Sequence, residues 1–192
     1  MASVVEICNG ALNQLGASTI LTLTEDSKNA RLCNARYLNV RDAVFRHHPW
    51  NCLLKRVQLA QDATAPVVEY AYAYTLPADC LRVLKLHTGA LDSIEADIKY
   101  NIEGRKLVTD EANVYILYVA LITDPNEYDT YLREAISAQL AADIAYGITN
   151  NATLAKYYQE QADERLREAR FIDATENSVG SLESNEFTDA RL

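Results

Sequence analysis

Three histidines, four cysteines and 27 acidic residues are the side chains through which this 192-residue chain could do chemistry. His47 and His48 are adjacent, so on a helix they point to different sides and cannot act as a matched pair of metal ligands. His87 is remote from both. Cys8, Cys33, Cys52 and Cys80 stand far apart with no Cys-x-x-Cys, which suits neither a zinc knuckle nor a redox motif. A zinc site needs three or four ligands at defined spacing, and no such spacing exists. Signatures of nucleophilic and phosphate chemistry are missing too: there is no Gly-rich phosphate loop, no G-x-S-x-G and no H-E-x-x-H. With so many carboxylates, some pair must lie close in space, and Glu69 with Asp79 is the pair a glycosidase-like mechanism would nominate. Catalysis, a cofactor and a metal are therefore not expected.

Charge distribution carries more information than any motif. A net charge of −9 argues against a general nucleic-acid coat, whose affinity comes from neutralising phosphates. Yet between residues 27 and 56, Lys28, Arg31, Arg36, Arg41, Arg46, Lys55 and Arg56 stand against a single acid, Asp42. Regions of opposite sign on one chain favour head-to-tail contacts between copies or docking on an acidic partner. A solvated helix face and a nucleic-acid groove are the other readings of such a run. Trp50, the only tryptophan, lies within Phe45-Arg46-His47-His48-Pro49-Trp50-Asn51. It serves either as core at a helix–sheet junction or as an interface anchor beside arginines. Tyr70, Tyr72 and Tyr74 alternate along one strand face, which suits a partly wet subunit contact or an ordinary half-exposed strand.

The elements that must position these residues follow from periodicity. Ser3-Val4-Val5-Glu6 fits a capping box, with Ile7, Ala11 and Leu15 at helical spacing and Gly16 as a stop. A second helix is expected from Thr24, with Cys33, Tyr37, Val40 and Val44 as its stripe and Pro49 as its end. From residue 51 to 123 the period changes to two. Leu53, Val57 and Leu59, then Tyr70 to Leu76, then Ile98, Tyr100 and Ile102, read as strands. Val114 to Ile122 reads as a central one. One small, mostly antiparallel sheet of four to six strands is the expectation. Asp124-Pro125 signals the return of helix. Leu132, Ile136, Leu140, Ile144 and Ile148 follow among alanines, giving a helix apolar nearly all round. A last helix carries Leu154, Tyr158, Ala162, Leu166 and Ala169 on one side.

The resulting fold class is α+β. A discontinuous helical bundle from both chain ends (1–50 and 124–175) carries an inserted β part (51–123), followed by an extended tail (176–192). A chain of this length buries a core without disulfides or metals. The N-terminus lacks a basic region and reads as no signal peptide, and the longest apolar run, Val114 to Ile122, is too short to span a bilayer. A protein made in the cytosol with reduced thiols and no membrane contact is expected.

One further reading comes from likeness. Arg41-Asp42-x-x-x-Arg46-x-His48-Pro49-Trp50-Asn51, followed by Lys55-Arg56-x-x-Leu59-Ala60, resembles the head-to-tail adaptors of short-tailed phages, the tail tubular protein A type. Tyr74-x-Leu76-Pro77-x-Asp79-Cys80-Leu81-Arg82-Val83, Gly104-x-x-Leu107-x-Thr109-Asp110 and the alanine-rich helix from Tyr131 to Ile148 agree in order and spacing. The resemblance covers about residues 3–175 and implies a structural protein of the virion neck, assembled in the host cytoplasm. It implies a ring, usually a dodecamer, between the portal protein and the tail nozzle protein, through which genomic DNA passes without specific binding. It implies no cofactor. Some relatives have been discussed as cell-wall hydrolases, which leaves a peptidoglycan hydrolase as the alternative. On this view Arg41, Arg46, Lys55 and Arg56, with His47, His48 and Trp50, meet a neighbouring subunit. Leu182, Phe187 and Leu192 would meet the portal.

Overall fold

Side-chain caps set the helix boundaries. The structure is a computed structural model and describes residues 2–89 and 98–176. Ser3 accepts the backbone N–H of Glu6 at 3.1 Å and opens α1 (Val4–Gln14), which ends at Gly16 with φ 66°. The second helix, α2 (Lys28–His47), starts later than Thr24. Ser27 caps it by accepting the N–H of Ala30, while Glu25 folds back onto the N–H groups of Leu21 and Thr22. That local bond competes with helix in the preceding turn. Asp124-Pro125 likewise opens only a 3-10 turn, Pro125–Glu127. The helix proper, α3 (Thr130–Thr149), takes Asp129 as its cap and ends on Asn150 in the left-handed region. Asn151 then caps α4 (Ala152–Thr175) by accepting two N–H groups.

Between α2 and α3 lie β1 (Leu54–Leu59), β2 (Tyr72–Thr75), β3 (Cys80–His87), β4 (Tyr100–Glu103), β5 (Lys106–Thr109) and β6 (Val114–Ala120). All pairings are antiparallel, but they make two three-stranded sheets instead of the single one expected. Their orders are β1-β6-β3 and β2-β5-β4. Alternation fixes which face a residue takes, not which strand it pairs with. Past β1 the chain keeps only a single bridge to β2, Gln61 to Tyr74, and β2 pairs along its length with β5. The hydroxyl of Tyr74 donates to the Glu111 carbonyl at 2.6 Å and holds it there.

The architecture is α+β, with helices from both ends of the chain and strands between them. α3 is the central helix, packed by α1, α2 and α4. Leu132, Ile136, Leu140 and Ile144 are buried on it together with five alanines, as expected of a helix without a polar face. One continuous core joins Leu132, Ile136, Leu140 and Ile144 to Val83, Val114, Ile116 and Tyr118 of the first sheet and to Tyr74 and Leu107 of the second.

Candidate functional site: a basic sheet face beside a helix–sheet clamp

The helix-to-sheet junction is built by the string around Trp50. Pro49 pushes the residue before it out of the helical region, and His48 takes φ −140° and ψ 147°. The Trp50 indole N–H donates to the Val44 carbonyl at 3.0 Å, and its ring meets His48 edge-on at 4.9 Å. Asp173, near the end of α4, reaches into this corner. Its carboxylate accepts the backbone N–H of Asn51 at 3.0 Å and lies 3.0 Å from His48 Nε2. Its own carbonyl accepts the Asn51 side-chain amide at 2.7 Å. Asp173 is only 7 % exposed, and these bonds are what make its burial tolerable. The clamp thus ties the end of α4 to the start of the sheet.

Most of the basic run is consumed inside the chain's own fold. Arg41 is 6 % exposed; its guanidinium reaches Asp42 at 2.7 Å and lies 5.8 Å from the centre of the Phe45 ring. Trp50 is 1 % exposed. Both side chains are packed into the core of this chain, which for Trp50 is the first of its two readings. Arg31 pairs with Asp26. Arg36 grips Asp143 of α3 with two bonds, at 2.5 and 3.0 Å, which pushes its pKa further up. Lys55 pairs with Asp79 at 3.1 Å, His48 belongs to the clamp, and exposed His47 sits 3.3 Å from Arg170. Arg46 and Arg56 remain exposed. The Arg46 guanidinium donates to the Leu81 carbonyl at 2.6 Å, bridging α2 to β3.

These two arginines join a surface that sequence spacing did not reveal. Opposed residues in an antiparallel sheet share a face. Across the first sheet the rows Leu54–Val119–Arg82, Arg56–Leu117–Lys85 and Gln58–Tyr115–His87 therefore lie together on one side. The other side, with Val57, Ile116 and Leu86, turns to the core. There Asp79 also accepts the Tyr118 hydroxyl at 3.2 Å, and burial, then Asp79, pushes that phenol up to about 12. The outer side carries Arg56, Arg82, Lys85 and His87 on its two edge strands, flanking half-buried Leu117 and Tyr115. None of the three strands contains an acidic residue. Arg82 points back toward the Arg46 carbonyl, 3.4 Å away, so the basic face continues onto the end of α2.

Arg82, His87 and Asp173 are the residues sequence reasoning missed. Arg82 and His87 fall outside the 27–56 window, and two irregularities in β3 break the alternation that would have aligned them. Asp173 had a signal: it continues the stripe Ala162, Leu166, Ala169 at helical spacing, where a carboxylate requires a partner.

Elsewhere the surface offers shallow recesses. One of about 390 Å³ lies between α3 and α4 and is lined by Tyr131, Glu134, Gln161, Glu164, Arg165 and Glu168. Glu69 and Asp79 are not assembled into an acid–base pair: Asp79 is engaged by Lys55 and Tyr118, and Glu69 lines a recess against the second sheet. Among the described residues no three His, Cys, Asp or Glu side chains group to hold a metal ion, and no helix is long and apolar enough to cross a membrane. Leu182, Phe187 and Leu192 lie outside the described residues. No family model matches the chain, and no curated protein matches it.

Proposed function

We propose that this protein is a structural head-to-tail adaptor of a tailed phage. Copies form a ring, twelve by the resemblance, between the portal and the tail nozzle, with a central channel for the genome. The observation that carries the reading is the placement of the motif that bears the resemblance. Arg46, His48, Pro49, Trp50 and Asn51 form the fixed corner between the helical unit and the sheet, held by Asp173 of α4. A subunit that transmits position along a virion axis needs its two parts in fixed relation, and this corner supplies that. The α+β layout with helices from both chain ends supports the same reading.

The role is mechanical, so the chemistry is that of contact surfaces. Each Lys or Arg on a channel wall that neutralises a phosphate adds affinity for DNA, whereas acidic walls let a duplex slide. The chain's acid excess suits such a wall, and its basic face suits protein contact. The test is electron microscopy of the purified protein, alone and mixed with the portal of the same virion. Ring-shaped density with an open centre is expected, at least in the mixture. A protein that forms no ring in either sample and turns over purified peptidoglycan overturns the proposal in favour of the hydrolase.

A further inference from the structure

We infer that the basic outer face of the first sheet docks on the recess between α3 and α4 of a second copy of this chain. The inference rests on the adaptor reading and names the surfaces by which its subunits would meet. The docking face presents Arg46, Arg56 and Arg82 around Leu117 and Tyr115, with Lys85 on the same side. The complementary surface is the recess holding Glu134, Glu164 and Glu168 beside half-exposed Tyr131. Its one cation, Arg165, reaches Glu134 at 3.5 Å and leaves the acids in excess. A cationic rim around an apolar centre facing an anionic recess with an aromatic wall is complementary in both charge and polarity.

The two surfaces are different patches, one on the first sheet and one between α3 and α4. Asp143 of α3 is held by Arg36 of α2, and Glu134 of α3 is held by Arg165 of α4. Nine positions separate the two acids, about two and a half turns, so they point to opposite sides of α3. The α2 side is the one whose end, through Arg46, continues into the basic sheet face. Two different patches make a heterologous contact, which repeats from copy to copy and closes into a ring when the rotation permits. A twofold dimer centred on either patch alone would set like charges against each other.

The experiment uses the full chain and reads assembly twice: by sedimentation in solution and by the fraction of portal particles carrying ring density. Arg56→Glu with Arg82→Glu should weaken assembly at least tenfold, as should Glu164→Lys with Glu168→Lys. Combining all four substitutions should restore it, which separates a lost contact from a lost fold. An equimolar mixture of the two double variants should assemble too, because in alternating copies native face meets native recess and swapped face meets swapped recess. If the wild type assembles and both double variants assemble equally well, these surfaces are wrong while the adaptor reading stands. If the wild type assembles in neither assay, the adaptor reading itself fails. Loss of duplex DNA binding in the Arg56→Glu, Arg82→Glu chain with assembly intact would reassign the basic face to a polyanion.

Discussion

Replacing Asp173 by alanine tests whether the corner between helices and sheet is held as described. The side chain accepts two hydrogen bonds, from the Asn51 backbone and His48. Alanine removes the carboxylate acceptor of the half-buried Asn51 N–H at a cost of roughly 1–3 kcal/mol, and the lost bond to His48 adds about 1. The expected loss is about 3 kcal/mol, or roughly 6–12 °C in Tm for a domain of this size. Asparagine keeps an oxygen for the Asn51 N–H and can donate to a neutral imidazole, so Asp173→Asn should lose only about 1 kcal/mol. Glu160→Ala on the same helix serves as the control. Glu160 is exposed and only 3.9 Å from Lys156, so its removal should stay within about 0.5 kcal/mol. Thermal and urea unfolding followed by circular dichroism give all three values. A cycle with His48→Ala should show coupling of at least about 0.5 kcal/mol. If Asp173→Ala costs no more than Glu160→Ala, the clamp is not what fixes this corner, and the structural support for the adaptor reading goes with it.

Three further perturbations follow from local geometry. A methyl placed on Gly10 of α1 would lie 2.7 Å from Ser137 Oγ of α3, so Gly10→Ala should lower Tm. The pair Gly10→Ala, Ser137→Ala should recover it, because the next nearest atom is 3.6 Å away and alanine is the better helix former by about 1 kcal/mol. Asn150 ends α3 at φ 52°, where glycine has no steric penalty; Asn150→Gly should leave unfolding unchanged or raise Tm slightly. Burial raises the phenols of Tyr37, Tyr74, Tyr118 and Tyr128 above the usual tyrosine value, Tyr118 to about 12. Their folded pKa exceeds the unfolded one, so the stability they contribute is intact below about 10 and is lost as pH rises toward 12. An absorbance titration should show these phenols ionising only with unfolding; all tyrosines titrating in one step near 10 in the folded protein would contradict the burial argument.

The helices were legible because capping and period-3.6 burial are local. Ser3, Pro49 and the stripe from Leu132 to Ile144 did in the fold what their spacing implied. The errors were local as well. Thr24 and Asp124 carry cap chemistry, but Glu25 and Pro125 use that chemistry to close turns before the helices begin. Strand pairing was not legible, since Tyr72 and Tyr74 would alternate identically beside β1 or β5. The functional surface was half legible. The excess of cations between residues 27 and 56 was visible, but Arg36 and Lys55 find their partners far along the chain, Asp143 and Asp79. Charge counted along a segment cannot see those pairings.

That internal pairing changes what the net charge does. Ion pairs such as Arg36–Asp143 and Lys55–Asp79 remove cations and anions from the surface in equal numbers, so they leave the −9 total untouched. Copies of the chain therefore repel one another on average, and at physiological salt that repulsion is screened beyond about 8 Å. Only a local patch of the opposite sign, brought within that range and correctly oriented, converts repulsion into attraction. The outer face of the first sheet, whose three strands hold no acidic residue, is such a patch, and its cations stand on paired strands, so no backbone ordering opposes their use. Attraction confined to one orientation, against a background of mutual repulsion, keeps copies from clumping and leaves a single mode of contact. That is the physical requirement for the closed assembly proposed above, which should then depend on salt and on any template that supplies the orientation.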